Sequence, residues 1–284
     1  MIADSELILN ADGSIYHLNL LPEDLASTII FVGDPDRVGE VSKYFDRIDV
    51  KKGKREFITH TGVLGHKRIS VISTGIGTDN IDIVFNEIDA LVNIDFETRT
   101  LKEELTSLDI IRIGTSGSIQ GDVKMGVILA SEFAIGFDTL MQYYVKSYSA
   151  EELVIQEAIE KTFDTLSFTP YVGRASEKLL ARIASDLPRG MTMTAPGFYG
   201  PQGRSVRSMN VYPDLIQRAS SFDVGGRTIT NLEMETAGIY ALANMFGHHA
   251  LSINAILASR VNDAFAANPK EIIDKAIRHV LERL

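Results

Sequence analysis

The sequence predicts an α/β fold, and two observations support this. Short apolar, β-branched runs alternate with longer segments whose apolar residues recur at helical spacing, as in chains that alternate strands with helices. The probable strands are residues 28–32, 69–73, 110–113, 127–130, 191–194 and 251–257. Several of these runs are predicted to end in turns that contain glycine, serine or threonine, at 33–35, 74–77 and 114–117. Ligands of α/β proteins collect at the carboxyl ends of strands, so these turns are candidate site positions.

The last predicted helix is the clearest element. Asn268 and Pro269 supply a start signal, and apolar residues then recur at helical spacing from Ile272 to Leu284. This stripe predicts core or interface packing and no catalytic role. The polar and charged stretch 93–107 is predicted to be a surface excursion between two buried elements. Because no shift in composition marks a linker, we expect one domain over residues 1–284.

Composition argues against several classes of protein. The 284 residues carry a formal net charge of −10, which disfavours nucleic acid as a partner because phosphate backbones attract basic surfaces. There is no cysteine, so disulfides, thiolate nucleophiles and cysteine metal sites are excluded. No apolar run has the length of a membrane span, and the first residues lack the pattern of a signal peptide. We therefore expect a cytoplasmic protein without a membrane partner.

Common catalytic signatures are missing from the sequence. The Gly-x-Gly at 75–77 has Asn80 where a dinucleotide fingerprint needs a small residue, and there is no Walker-type phosphate loop. Histidine spacing does not indicate a metal. A serine hydrolase elbow is absent as well. We expect neither a nucleotide cofactor nor a metal.

Arginines beside glycine-containing turns are the candidate anion sites. Gly33 and Arg37 follow a predicted strand, where a helix N-terminus and a guanidinium can bind an anion; an ordinary strand-to-helix turn is the alternative. Arg112 lies inside an apolar strand that leads to Thr115 and Ser116. Because a buried arginine is costly unless it is paired or touches an anion, a structural ion pair is the alternative there. The two hydroxyls favour an oxyanion site.

Two later motifs carry groups suited to a nucleoside. Gln202 and Arg204 follow Phe198 after a turn, and their amide and guanidinium can bind a planar heterocycle beside an aromatic ring. A surface loop that covers the core is the alternative. Residues 233–235, Glu-Met-Glu, open a helical stretch. A carboxylate there either caps the helix or accepts two vicinal hydroxyls, with methionine as an apolar wall.

The order of these motifs resembles the nucleoside phosphorylase family of the hexameric purine and uridine enzymes, nearly end to end. The segments Tyr-His-Leu-Asn-Leu at 16–20, Ile-Gly-Thr-Ser-Gly at 113–117 and Phe-Tyr-x-x-Gln-x-Arg at 198–204 resemble its uridine phosphorylase branch. The resemblance implies a three-layer αβα sandwich with a central mixed, twisted β-sheet. It also implies a phosphate-dependent pentosyltransferase that splits uridine into uracil and ribose 1-phosphate in pyrimidine salvage.

The resemblance implies a role for each matching residue. Those implied to bind phosphate are Gly33, Arg37, Arg112 and Thr115, with Arg55 from a neighbouring subunit. Those implied to bind ribose are Thr115, Glu233, Met234 and Glu235, with His17 from the neighbour at the 5′ hydroxyl. Those implied to bind the base are Phe198, Gln202, Arg204 and, in support of that pair, Arg260. Arg112, Glu235 and Arg204 are the expected catalytic residues.

Cofactors and partners follow from the same resemblance. It implies inorganic phosphate as co-substrate and no organic cofactor, and some members bind a monovalent cation between subunits through the glutamate that matches Glu56. It implies self-association, at least to a dimer and up to a hexamer. Arg260 stands where the purine branch has an aspartate, which favours a pyrimidine. The alternatives are a purine phosphorylase, a hydrolytic nucleosidase and a non-catalytic nucleoside-binding protein.

Overall fold

The protein alternates strands and helices, described over residues 1–284 in a computed structural model. The strands are β1 (Thr28–Val32), β2 (Arg47–Lys54), β3 (Phe57–Leu64), β4 (Lys67–Ser73), β5 (Ile94–Asp95), β6 (Thr100–Leu101), β7 (Asp109–Ser118), β8 (Ile128–Gly136), β9 (Tyr171–Arg174), β10 (Arg189–Thr194), β11 (Asp223–Val224), β12 (Arg227–Glu233), β13 (His249–Ser259) and β14 (Ala264–Phe265). The helices are α1 (Pro35–Ser42), α2 (Thr78–Asn93), α3 (Ala150–Thr162), α4 (Glu177–Ile183), α5 (Leu215–Ser221), α6 (Thr236–Phe246) and α7 (Pro269–Leu281).

One mixed sheet of twelve strands forms the centre of the molecule. Its main path runs β11-β12-β10-β8-β13-β7-β1-β4-β3-β2, while β14 pairs with β13 and β9 pairs with β8. The strand β12 also pairs with β7, through Leu232 opposite Gly117. As a result β7, β13, β8, β10 and β12 close into a ring of five strands, which we call the strand ring. The expected α/β class with a central mixed sheet is confirmed.

The core explains why the central strands are apolar throughout. β1 lies between β4 and β7, is parallel to both, and all five of its residues are buried. Strands covered on both faces have continuous apolar runs because no side faces water. The main core joins β1, β4, β7 and β13 to helices α2, α6 and α7, and a second core packs α3 and α5 against β8, β10 and β12.

The six strand predictions hold in position, and several strands were missed. The run 28–32 matches β1, and the other five runs are shorter than the strands they fall in, with Val127 lying one residue before β8. The prediction of a turn at 114–117 is wrong, because β7 continues through this segment to Ser118 by pairing with β13 and then β12. The edge strand β2 was missed because its side chains alternate between exposed and half-buried, with no apolar face to detect.

Both segment predictions agree with the structure. The predicted C-terminal helix is α7, with Asn268 in the N-cap position and Ile277 among its buried residues. Stretch 93–107 is mostly exposed and includes the hairpin of β5 and β6. Its Arg99 donates to the carbonyls of Ile2 at 2.9 Å and Ala3 at 3.0 Å, so the hairpin holds the N-terminal segment. The single-domain prediction stays a prediction.

Candidate active site

A cleft of about 980 Å³ opens where β1, β4, β7, β12 and β13 end. Ten of the thirteen site residues predicted from the sequence line it. They are Gly33, Arg37, Arg112, Thr115, Phe198, Gln202, Arg204, Glu233, Met234 and Glu235. We call the part formed by Gly33, Arg37, Arg112, Glu233 and Glu235 the inner end, and the part formed by Phe198, Gln202 and Arg204 the loop end.

Arg112 is the central residue of the inner end. Its side chain runs along β7 over Gly114, where any Cβ atom would collide with the guanidinium. Nη2 donates to Glu235 Oε2 and lies 3.0 Å from Glu233 Oε2, and Nη1 lies 3.3 Å from Asn254 Oδ1. Burial acts to lower the pKa of Arg112, but the two carboxylates outweigh it and raise the pKa. The arginine is therefore a charged member of a buried ion pair that still reaches the cleft.

Glu235 combines a protein contact on each oxygen with an open position in the cleft. Oε2 accepts from Arg112, and Oε1 accepts from the backbone N–H of Gly77 at 2.9 Å. Gly77 has a φ of 98°, which glycine adopts without strain. Burial raises the pKa of Glu235, and the charge of Arg112 opposes this rise. A carboxylate has about four lone-pair sites, so two protein donors leave room for further hydroxyls.

Glu233 is occupied by the protein itself. Its carboxylate accepts from Thr194 Oγ1 at 2.6 Å, from the Glu235 N–H at 2.9 Å and from the Thr236 N–H at 3.0 Å. It therefore caps the first turn of α6, the role weighed for this motif as an alternative. Its contacts favour a supporting role, in which it fixes Glu235 and Arg112, over the ribose contact implied by the resemblance.

Arg37 differs from Arg112 in having no protein partner. Asp34 caps α1 by accepting from the Asp36 N–H at 3.0 Å, which fixes the turn between β1 and α1. The Arg37 side chain lines the cleft, and its guanidinium takes part in no hydrogen bond or ion pair. Burial lowers the pKa of Arg37, the charge of Asp34 opposes this effect, and the charge of Arg112 adds to it. A partly desolvated cation without an ion-pair partner is suited to bind an anion.

The loop end is held together by arginines. Arg204 Nη1 donates to the Phe198 carbonyl at 2.6 Å and to Gln202 Oε1 at 2.5 Å, and its guanidinium lies 3.9 Å from the centroid of the Phe198 ring. Arg260 Nη1 donates to the Gln202 carbonyl at 2.9 Å. Gln202 is only 2% exposed, while Phe198 is 51% exposed. Because Gln202 Oε1 is taken, its Nε2 group is the one left to donate to a ligand.

Three predicted residues lie outside the cleft of their own chain: His17, Arg55 and Arg260. Arg260 is nonetheless bound to the loop end. His17 Nδ1 lies 2.6 Å from Glu87 Oε1, and the centroid of its ring lies 6.3 Å from that of Phe57, two residues after Arg55. Arg55 is exposed and forms no ion pair. Their position leaves the predicted contribution to a neighbouring site open.

The sequence analysis did not identify several residues that line the cleft or contact Arg112. Leu257, Ala258 and Phe265 contribute apolar surface to the cleft from β13 and β14. Ser252 and Asn254 contact Arg112 from β13, at 3.4 Å and 3.3 Å. The signal for the last two was present, since polar residues interrupt an apolar strand at these positions.

The candidate cation ligand Glu56 lines the cleft, and its carboxylate takes part in no hydrogen bond or ion pair. No cluster of three or more histidine, aspartate or glutamate side chains with metal-site geometry is present. None of the helices combines the length and hydropathy needed to cross a membrane. The cation at Glu56 and the cytoplasmic location stay predictions.

Comparison with known proteins assigns the family. The model of the Phosphorylase superfamily matches residues 27–284. The chain belongs to the phosphorylase superfamily. Among curated members of this superfamily, the uridine phosphorylase of Thermococcus kodakarensis is 29% identical over 263 residues, covering 92% of this chain and 83% of that protein. The uridine phosphorylase of Treponema pallidum is 26% identical over 232 residues, covering 81% of this chain and 76% of that protein.

A solved structure extends the match within the superfamily to three dimensions. It is the Trypanosoma brucei nucleoside phosphorylase, described as showing uridine phosphorylase activity. It superposes with a TM-score of 0.87 at 30% identity and covers 98% of this chain and 99% of that chain. The resemblance inferred from the sequence motifs is therefore confirmed at the level of family and fold.

Proposed function

We propose that this protein is a uridine phosphorylase, which uses inorganic phosphate to convert uridine into uracil and ribose 1-phosphate. The observation that carries the proposal is the pairing of two kinds of group across one cleft. An arginine without an ion-pair partner, Arg37, lies at the inner end, and an amide-guanidinium pair, Gln202 and Arg204, lies at the loop end. The names of the superfamily relatives support the same activity.

Phosphate is proposed to bind at the inner end. Arg37 supplies an unpaired guanidinium, whereas Arg112 is already neutralised by its two carboxylates. Gly33 has no side chain to separate an anion from the backbone where α1 is about to begin, and Thr115 adds a hydroxyl from β7. Charge-assisted hydrogen bonds of this kind are about twice as strong as neutral ones. In this assignment Arg37 supplies the main attraction and Arg112 fixes the geometry.

Ribose is proposed to bind between the two ends, on Glu235. The remaining lone pairs of its carboxylate are suited to the 2′ and 3′ hydroxyls, and Met234 forms the adjacent apolar wall. Arg112 and the Gly77 N–H hold this carboxylate in place before a substrate arrives. Such preorganisation reduces the entropy lost when the sugar is oriented.

Uracil is proposed to bind at the loop end. Gln202 Nε2 and the free N–H groups of Arg204 are donors for the carbonyl oxygens, and Phe198 offers a ring face or edge beside base and sugar. Arg260 supports the pair through the Gln202 carbonyl. No carboxylate lies among these groups to protonate a purine ring, so the loop end favours a pyrimidine over the purine alternative.

The proposed reaction uses these contacts in one displacement. A phosphate oxygen forms a bond to C1′ as the bond from C1′ to N1 of uracil breaks, and the electron pair of that bond leaves with the base. Positive charge grows on the sugar next to the bound phosphate, and negative charge grows on the uracil oxygens facing Arg204 and Gln202. Donors placed where charge develops stabilise the transition state. In the net reaction, the attacking hydrogen phosphate loses one proton and the released uracil anion gains one, by exchange with water, so no step requires a general acid from the protein.

The decisive experiment is a phosphate-dependent assay with uridine, 2′-deoxyuridine, thymidine and inosine. Uracil and ribose 1-phosphate should form from uridine in phosphate buffer, and neither product should form without phosphate. Faster cleavage of inosine would favour a purine phosphorylase. Release of uracil without phosphate would favour a hydrolytic nucleosidase, and tight binding without turnover would indicate a nucleoside-binding protein.

We also propose that a second subunit completes the site, with His17 at the 5′ hydroxyl and Arg55 at the phosphate. The support is their position: both are absent from the cleft of their own chain, and Arg55 is exposed without an ion pair. Arg55→Ala should lower activity strongly while the melting temperature stays unchanged. Mixing inactive Arg55→Ala with inactive Arg37→Met protein tests the sharing, because hybrid dimers regain one intact site. No recovery on mixing would contradict it.

A further inference from the structure

A chain of buried hydrogen bonds passes through all five strands of the strand ring. Asn254 Nδ2 donates to Ser131 Oγ at 2.8 Å, and Ser131 Oγ lies 2.5 Å from Thr192 Oγ1. Thr192 Oγ1 donates to Asn231 Oδ1 at 3.1 Å, and Asn231 Nδ2 donates to Ser116 Oγ at 2.7 Å. Ser116 lies on β7, the strand that carries Arg112, and Arg112 in turn contacts Asn254.

Asn254 is the member of this set that touches the inner end. It lies on β13, opposite Gly114 of β7, and the Arg112 side chain passes over Gly114. Its Oδ1 accepts from Arg112 Nη1 at 3.3 Å, and its Nδ2 is bound to Ser131. Because Ser131 takes the amide nitrogen, the amide can present only its oxygen to the guanidinium.

The two edges of the Arg112 guanidinium therefore meet different chemistry. Nη2 faces the carboxylates of Glu233 and Glu235, and Nη1 faces the neutral oxygens of Asn254 and Ser252. With neutral groups on Nη1, Glu233 and Glu235 are the only carboxylates in contact with the Arg112 guanidinium. A further carboxylate on Nη1 would add negative charge beside the proposed phosphate region, where Asp34 and Glu56 already line the cleft, and would repel a phosphate dianion.

We propose that Asn254 is a positioning residue for phosphate, an inference that rests on the proposed function. Its amide oxygen fixes the guanidinium of Arg112 without adding a charge, and the buried hydrogen bonds behind it fix the amide. The residue does not line the cleft. It acts through Arg112.

The test compares Asn254→Asp with Asn254→Ala in steady-state kinetics. The Asp variant keeps the shape of the side chain and adds a charge beside Arg112, so the KM for phosphate should rise about tenfold or more. The Ala variant removes the acceptor and should raise that KM by about three- to tenfold. In both variants the KM for uridine should change less than the KM for phosphate.

The matched control is Asn231→Asp. This change places the same charge in the same set of buried hydrogen bonds, but Asn231 contacts neither Arg112 nor the cleft. Loss of stability should then appear without a selective rise in the KM for phosphate. Equal shifts of both KM values in either Asn254 variant, or no shift in folded protein, would overturn the proposal.

Phosphate binding measured directly separates this inference from the proposed reaction. Isothermal titration of wild type and Asn254→Ala with inorganic phosphate requires no turnover. Weaker phosphate binding by the variant supports the positioning role even if uridine is not the substrate. Identical affinity contradicts that role, whereas absence of phosphorolysis in wild type contradicts only the proposed function.

Discussion

At the inner end of the cleft, the side chains lie on strands and at the start of a helix, and the polar atoms of Arg112, Glu233 and Glu235 have protein partners. Arg112 is 5% exposed and bound on both edges, and Glu235 is bound through both oxygens. At the loop end, Phe198 and Tyr199 are 51% and 60% exposed. There Arg204 holds the turn of residues 200–202 by contacts within seven residues of sequence.

The difference matches what each end is proposed to do. A reacting phosphate and sugar need groups fixed before binding, because displacement of one ångström is costly in rate. The strand ring supplies this rigidity through hydrogen bonds between strands far apart in sequence. A base must enter and leave, and a locally folded loop allows that movement. The paired residues of the inner end should therefore respond to mutation in stability as well as activity, and the unpaired Arg37 and the loop end in activity alone.

The largest effect is expected for Arg112→Met. Removal of the guanidinium leaves Glu233 and Glu235 buried without a counter-charge, which costs about 3–5 kcal/mol. The melting temperature should fall by about 10 °C. Since burial raises the pKa of Glu235, the loss should be greatest at high pH and should shrink as the carboxyl groups take up protons. A melting temperature equal to that of wild type would remove the ion pair as a stabilising element.

The next largest effect is expected for Arg37→Met, and it distinguishes Arg37 from Arg112. Arg37→Met removes a cation that has no protein partner, so stability should stay the same or rise slightly. The value of kcat/KM for phosphate should fall about a hundredfold or more, from the loss of two charge-assisted hydrogen bonds. Thermal melts and initial rates at varied phosphate measure both. A large loss of stability would show that Arg37 resembles Arg112 after all.

A smaller effect is expected at the loop end. Arg204→Ala should slow uridine cleavage by about tenfold to a hundredfold, the cost of one charge-assisted hydrogen bond. The KM for phosphate should stay near the wild-type value. Arg207→Ala is the control, because Arg207 is exposed on the same loop and its side chain takes part in no hydrogen bond or ion pair. Unchanged uridine kinetics in Arg204→Ala would remove the base-binding assignment.

The smallest effect concerns a buried carboxyl group outside the cleft, that of Asp138. Asp138 accepts from Tyr171 Oη at 3.0 Å and from the Leu140 N–H at 2.9 Å, and burial raises its pKa. A carboxyl with a raised folded-state pKa costs stability as pH rises through that pKa. Asp138→Asn should therefore stabilise the protein at neutral pH, on the order of 1 kcal/mol. The gain should disappear near pH 4, and a gain independent of pH would contradict this account.

The predictions from sequence were strongest where the burial of a charged residue would cost free energy unless the residue is paired or binds a ligand. An arginine inside an apolar strand, at Arg112, had to be paired or bound, and the structure pairs it while leaving it at the cleft. The assignment of residues 233–235 was less complete. Two glutamates separated by one residue look equivalent in sequence, but Glu233 caps α6 and Glu235 faces the cleft. Their roles differ because the chain turns from β12 into α6 between them, so that the two side chains meet different groups.

Local pattern determined the α/β class, the positions of six strands, the C-terminal helix and the motifs that line the cleft, because these depend on neighbouring residues. Closure of the strand ring, the neutral acceptors behind Arg112 and the unpaired state of Arg37 were decided by tertiary structure. The first two join residues more than a hundred positions apart. The third depends on which carboxylates come within reach of the Arg37 guanidinium. Such contacts follow from the packing of the whole sheet, which the spacing of residues along the chain does not contain.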